Sequence, residues 1–420
     1  MISMNNDKMK PQTNPYLWAL VTVISLFFFW GLAISLLDVL NKHFQDILHI
    51  SKGQSSLVQV AIYGAYFLMA LPAGFITKKY SYQRGIQIGL VGYALGAFLF
   101  IPAAGFYPFI MALFIMGCGL AIIETSANPY ISILGDPSKA VLRLNLAQSF
   151  NGLGVVLGPL IGGLFIFQNE ASTEESSLHS IKVAYFVIGL LVSLLLLLFC
   201  MIKLPKFDLS KEEQEVEAAE SLSKGKSLFQ RPTFLFAVLA QFFYIGAQAS
   251  VWGFFINFVS DEFPSISNKS AAYYLTLGML LYMIGRFLGT FLLKFISPQR
   301  LLFLFASLAL TSCVAALLAT GFIALIALML CCFSMSIMFP TIFALGLDNL
   351  GSLKNKGSSI MIMSIVGGAV FPPIMGTVAD MYSIKTSFLI PLCCFLVVIA
   401  FAIYVNYNRE KYIAFAKTRS

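Results

Sequence analysis

Twelve long apolar stretches, separated by short polar intervals, run along the chain at roughly 17–42, 56–77, 85–102, 108–134, 143–167, 182–203, 233–259, 271–293, 301–319, 321–346, 358–379 and 384–406. A helix crosses about 30 Å of hydrocarbon with about 20 apolar residues, and each stretch meets or approaches that length. The pattern predicts an all-α membrane protein of twelve transmembrane helices. One polar interval is long: residues 204–232 mix both charges (Lys211, Glu212, Glu213, Glu215, Glu217, Glu220, Lys224, Lys226) between the sixth and seventh stretches. They divide the chain into an N-terminal unit, 1–203, a linker, 204–232, and a C-terminal unit, 233–420. A regulatory segment is the second reading of the insert.

Charge fixes the expected topology. With the N-terminus placed in the cytoplasm, the intervals on that side hold 21 of the 27 basic residues. The far side holds five (Lys42, Lys52, Lys182, Lys269 and Lys385), and Arg286 is left inside a span. Cytoplasmic loops carry the Lys/Arg excess, so both termini and the linker are predicted to be cytoplasmic. Met1 to Asn14 are polar and contain no apolar run with a small-residue cleavage site. The first span is therefore expected to act as its own insertion signal.

Composition agrees. Apolar residues make up 59% and charged residues 11%, with a mean hydropathy of +0.85, where soluble domains carry about 45–50% and about 25%. The net charge of +8 comes from loops and not from a basic stripe on a soluble module, so no nucleic-acid partner is expected. All seven cysteines lie in apolar runs without histidine partners at metal-site spacing; they read as small buried apolar residues, with no metal and no disulfide framework. No nucleophile–base pair points to an enzyme, and no cofactor is expected beyond protons as a coupling ion.

The two halves repeat each other. At an offset of 216, Tyr66, Phe75, Lys78, Ser81, Gln83 and Arg84 match Tyr282, Phe291, Lys294, Ser297, Gln299 and Arg300. At 211, Pro129, Ile131, Leu134 and Gly135 match Pro340, Ile342, Leu345 and Gly346; at 213, Pro159, Ile161 and Gly163 match Pro372, Ile374 and Gly376. Parallel six-helix repeats with a site between them at the midplane describe the major facilitator architecture.

Only two acidic residues sit well inside predicted spans, Asp38 in the first and Glu124 in the fourth. A carboxylate at the bilayer centre costs at least about 2.5 kcal/mol, so it faces a cavity or a partner. Burial favours the protonated form and brings proton exchange towards neutral pH. Both are read as proton-coupling groups, with helix-to-helix hydrogen bonding as the alternative. Glu124 and Asn128 share one face, four residues apart. Asn145, Gln148 and Asn151 recur every three residues on the fifth span. Amides offer the donors and acceptors that a polyhydroxyl ligand needs, or they join helices. The seventh span carries Gln241, Tyr244, Gln248 and Trp252 on one face; an aromatic plate beside amides suits a sugar, whose C–H face stacks while its hydroxyls hydrogen-bond. Trp30 supplies a second plate, unless it belongs to an interfacial aromatic belt. Arg286 is an intramembrane cation, read either as a counter-ion or gating partner or as a snorkelling side chain. Gly154-x-x-x-Gly158-x-x-x-Gly162 reads as a close-packing face.

At these residues the chain resembles the fucose–hexose–proton symporter family of the major facilitator superfamily, and within it the fucose permeases. The resembling stretches are Phe28-Phe29-Trp30-Gly31 through Asp38, Glu124-Thr125-Ser126-Ala127-Asn128-Pro129-Tyr130, Arg143 to Asn151, Ala240 to Gln248, and Phe339-Pro340-Thr341-Ile342-Phe343. They cover both halves and leave out only the termini and the linker. The resemblance implies a multi-pass protein of the bacterial inner membrane, working as a monomer, that imports a monosaccharide with protons by alternating access. It also implies that Asp38 and Glu124 handle the proton, and that Gln148 and Asn151 meet the sugar. L-fucose is the first expectation, with glucose/galactose and N-acetylhexosamines next; a drug–proton antiporter and a non-transporting membrane sensor are the remaining readings. Two departures stand out. Ala33-Ile34-Ser35-Leu36-Leu37 lacks the paired amides expected before the acidic residue, and Lys78 stands four residues after Gly74, where the superfamily's loop motif has an Asp.

Overall fold

The computed structural model describes residues 15–133, 140–167, 174–202, 228–348, 350 and 353–417. The predicted linker lies almost wholly outside them. The first half contributes α1 (Pro15–Leu48), α2 (Leu57–Tyr80), α3 (Tyr82–Phe98), α4 (Phe106–Ile133), α5 (Ala140–Ile161) and α6 (Glu174–Met201). The second contributes α7 (Pro232–Gly253), α8 (Asn268–Leu292), α9 (Pro298–Leu318), α10 (Gly321–Met335), α11 (Gly367–Met381) and α12 (Leu389–Lys417). Among the described residues, eleven helical segments are long and apolar enough to cross a membrane. The twelfth predicted span is α3, at 17 residues the shortest of the first six helices.

The chain forms two six-helix bundles. In the first, α1 packs chiefly on α5, and α4 lies between α2 and α3; in the second, α9 packs on α10 and α12, and α7 on α11 and α12. The predicted glycine face is the α1–α5 contact. A Cβ added to Gly154 would lie 2.1 Å from the Phe28 carbonyl oxygen, one on Gly158 1.9 Å from Ser35 Oγ, and one on Gly162 2.6 Å from Val39. This explains the departure at Ala33–Leu37: Ser35 is buried beneath α5 and meets the Gly154 carbonyl. Away from these contacts, α6 exposes Val183, Phe186, Val187, Leu190, Leu194 and Leu197. That stripe suits hydrocarbon; in water it would be an aggregation surface.

Three predicted spans are interrupted. The seventh breaks at Phe254 and resumes as Phe255–Glu262; the tenth breaks after α10 and resumes as Met338–Leu347; α11 is preceded by Lys354–Met363 and a 3-10 turn, Ser364–Val366. The tenth has a covalent reason. Residue 340 is proline, so the Ser336 carbonyl has no N–H four residues on. Non-helical backbone at membrane depth is tolerated where other groups satisfy it. Arg286 Nε takes the Ser336 carbonyl at 3.4 Å, and the Tyr244 hydroxyl takes that of Met335 at 2.8 Å.

Candidate functional site

Arg286 joins the bundles. From α8 it donates through Nη1 to the side-chain oxygen of Gln148 (3.4 Å) and to that residue's backbone carbonyl (3.3 Å), and through Nη2 to the Tyr282 hydroxyl (2.5 Å). Among the described residues no salt bridge satisfies the guanidinium; neutral oxygens do. Tyr282 is the hub on the second side. It accepts from Gln248 Nε2 at 3.2 Å as well as from Arg286, and Trp252 stands edge-on to it, ring centroids 5.0 Å apart. Gln148 of α5, Gln248 and Trp252 of α7, and Arg286 of α8 therefore meet around one tyrosine. Arg286 is a bridging residue, not a snorkelling one.

The two membrane carboxylates lie on the first-bundle side. Glu124 is buried beside Tyr66 of α2 and Asn128, one turn along α4. Trp30 Nε1 donates to the Tyr66 hydroxyl. A small open pocket lies against Trp30 and Glu124, with Leu26, Phe27, Ile123 and Ala127 as its other walls. Asp38 is buried on α1 with Oδ2 unpartnered.

Several candidate amides divide between roles. Asn151 donates to the Phe27 carbonyl at 3.2 Å, joining α5 to α1. Tyr244 is fully buried, its hydroxyl holding the break in the tenth span. Gln241 is fully buried with both amide atoms unpartnered, and Trp252 Nε1 is likewise buried without a partner. The Asn145 side chain lies outside the described residues. Buried polar atoms are rarely left unpaired; Gln241 and Trp252 are exceptions among the described residues. Tyr63, Tyr66 and Tyr282 were absent from the residues singled out by sequence. The signal was there for two of them: Tyr66 and Tyr282 are the first pair matched by the internal repeat.

Residues 18–368 match the Major Facilitator Superfamily. The chain belongs to the major facilitator superfamily. It is 38% identical over 416 residues to the L-fucose-proton symporter of Escherichia coli, covering 94% of this chain and 95% of that one. It is 36% identical to the glucose/galactose transporter of Brucella abortus, covering 90% and 92%. Among solved structures it matches FucP, a transporter of this superfamily in the outward conformation, at 36% identity with a TM-score of 0.69, covering 93% and 99%.

In this facilitator the face opposite the chain termini is bridged between bundles. α1 has 34 residues, about 51 Å of helix, so its end overruns the hydrocarbon and carries Asn41, Gln45 and Asp46 to that face. Asp46 accepts from Asn268 Nδ2 at 2.7 Å, and Asn257 Nδ2 donates to Gln45 Oε1 at 2.5 Å. The Asp380 carboxylate accepts from the backbone N–H groups of Lys52 and Gly53, at 2.9 and 2.7 Å. Those N–H groups open the short helix Lys52–Ser55, held by a capping box between Ser51 and Gln54. Repeat-related glycines allow the approach on both sides. A Cβ on Gly376 would lie 2.6 Å from the Lys52 carbonyl oxygen, and one on Gly163 2.9 Å from the Tyr273 ring.

Proposed function

We propose that this chain is a proton-coupled monosaccharide importer, for L-fucose or a related hexose, working by alternating access. The observation that carries the reading is the meeting of Gln148 with Gln248 and Trp252, from opposite bundles, through Arg286 and Tyr282. Amides from both sides beside an aromatic plate suit a polyhydroxyl ligand. A site shared between bundles is what rocking of one bundle against the other exposes to each face in turn. Gln148, Asn151, Asn128, Gln241, Gln248, Trp252 and Trp30 are the sugar-facing set, with Tyr244 beside them, and Asp38 and Glu124 carry the proton. The bridged face is the gate that opens outward.

The charge bias supports cytoplasmic termini in the bacterial inner membrane, with the bridged face periplasmic. The pathway lies between the chain's own units, 1–203 and 233–420, which supports action as a monomer. A glucose or galactose substrate is the second reading, favoured by the Brucella abortus relative at 36% identity. Vesicle uptake of radiolabelled L-fucose, D-galactose, D-glucose and N-acetylglucosamine, with and without an imposed pH gradient, decides. Gradient-driven accumulation of one of them is expected. Accumulation of none, or uptake indifferent to the gradient, overturns the reading.

A further inference from the structure

Where α1 reaches the face opposite the termini, it brings two amides into a buried cluster drawn from both bundles. Asn41 and Gln45 lie on α1, Ser55 ends the short helix Lys52–Ser55, and Gln59 lies in the first turn of α2. Asn257, from the second bundle, lies in the resumed part of the seventh span, Phe255–Glu262. Each of the five is at least nine-tenths buried. None carries a charge, and the ionic neighbours on α1, Lys42 and Asp46, neutralise each other at 2.7 Å.

The hydrogen bonds of this cluster do not balance. The two Nε2 hydrogens of Gln45 face three acceptors: Asn41 Oδ1 and Ser55 Oγ, both at 2.8 Å, and Asn257 Oδ1 at 3.4 Å. The single hydroxyl hydrogen of Ser55 is claimed by Asn41 Oδ1 at 2.5 Å and by the Lys52 carbonyl at 3.0 Å. Acceptors are in surplus here, and Asn257 Oδ1 has the longest bond. Donors are in surplus at the other end. Asn41 Nδ2 donates to Gln59 Oε1 at 3.2 Å, but Gln59 Nε2 is buried without a partner. It lies against Gly253, the last residue of α7, where an added Cβ would stand 2.6 Å away. A glycine has no side chain to accept from it.

An unpaired buried donor is costly, and a latch that only closes needs no such mismatch. A hydroxyl both donates and accepts. Two hydroxyls of one molecule complete the set, one donating to Asn257 Oδ1 and the other accepting from Gln59 Nε2.

We infer that the outer mouth holds a second binding site, for a neutral polyhydroxyl molecule, formed by Asn41, Gln45, Gln59 and Asn257 and closed in this structure by the Gln45–Asn257 amide pair. Parting of the bundles breaks that pair and turns its donors and acceptors to the incoming ligand. Asn41 lies one turn beyond Asp38 on α1, and Gly253 follows Trp252 on α7. The second site therefore lies outward of the proposed sugar site on the same two helices. The inference rests on the proposed sugar import and adds the station at which the sugar is first received.

The test uses the full chain with radiolabelled L-fucose, D-galactose and D-glucose. Equilibrium binding to the purified protein is expected to show two events. Gln248→Ala is expected to weaken the tighter event and spare the weaker one, which the near-isosteric Gln45→Met and Asn257→Leu remove. In cells, these two variants are expected to raise the external half-saturating concentration for uptake by about three- to tenfold, the worth of one lost hydrogen bond. A latch alone predicts the opposite sign, because its loss enlarges the outward-open fraction and apparent affinity rises with that fraction. If both variants fail to fold, Gln59→Met, whose hydrogen bond stays within the first bundle, decides on the same readouts. A single binding event in the wild type, a weaker event unchanged in the folded variants, or a lowered half-saturating concentration overturns the inference. Gradient-driven uptake with a single event leaves the symport reading standing. A weaker event lost in the variants, without gradient-driven uptake by the wild type, overturns that reading alone. Binding of none of the three sugars overturns both.

Discussion

Arg286 of the second bundle reaches Gln148 of the first, with Nη1 3.4 Å from Oε1 and 3.3 Å from the backbone carbonyl. A sugar that hydrogen-bonds Gln148 competes with this bridge, so the two residues act on affinity together. Contacting residues in one network show interaction energies of about 0.5–3 kcal/mol in double-mutant cycles. Gln148→Ala, Arg286→Ala and the double variant are therefore expected to be non-additive in sugar affinity. Isothermal titration of the purified protein measures it; simple additivity would place Arg286 outside the sugar site.

Gln248 and Trp252 meet at Tyr282, and each loss should weaken sugar binding. Leaving a buried polar partner unsatisfied costs about 1–3 kcal/mol, so Gln248→Ala and Trp252→Ala are expected to weaken binding by about tenfold or more. Asn151→Ala differs. Because Asn151 also holds the Phe27 carbonyl, it is expected to lower the thermal midpoint as well as the affinity. Wild-type affinity in all three would mean that these faces only pack helices.

Much of this was legible in the chain because its physics is local. Apolar length gave the spans, the spacing of four put Asn128 onto Glu124, and glycines every four residues gave the α1–α5 contact. The Arg286–Gln148 bridge was not legible, since the residues are 138 apart and meet only once the bundles are set against each other. For Asn151 and Tyr244 the face was legible but not every contact, because periodicity names a face and not what it meets: Asn151 also holds the Phe27 carbonyl and Tyr244 the Met335 carbonyl. The breaks in the seventh and tenth spans were invisible for a related reason: hydropathy counts apolar residues, whereas the tenth break turns on one missing N–H at Pro340.

The bridge on the face opposite the termini, proposed as the outer gate, depends on close backbone approach. Gly376→Val would drive a side chain into the Lys52 carbonyl, which lies 2.6 Å from the added Cβ. The expected result is a shift towards an outward-open state. Spin labels on His49→Cys and Ser265→Cys, exposed loop positions of the two bundles, report it in a background without native cysteines. A longer distance in Gly376→Val, and in Asp380→Ala, is expected. An unchanged distance in both would mean that these contacts do not hold the gate.

Glu262 provides a pH-dependent tie within the second bundle. Burial pushes its carboxyl up, but hydrogen bonds from Lys385 and the Gly321 N–H, with the Lys385 charge, outweigh this and hold it below the ordinary value. A group depressed on folding stabilises above its unfolded pKa and loses that contribution as pH falls through the folded value. Glu262→Gln is therefore expected to lower the melting temperature at neutral pH, with the difference closing in acid below the carboxylate range. A difference that persists in acid would assign it to lost packing.

The central claim is that Asp38 and Glu124 couple sugar movement to protons. Asp38→Asn and Glu124→Gln keep shape and hydrogen bonding but carry no exchangeable carboxyl proton, so each imitates a permanently protonated state. Sugar-for-sugar exchange requires no net proton release. The decisive measurement is uptake under an imposed pH gradient beside counterflow in the same vesicles. The account predicts that both variants lose accumulation against the sugar gradient while at least one retains exchange; continued accumulation in both would contradict it.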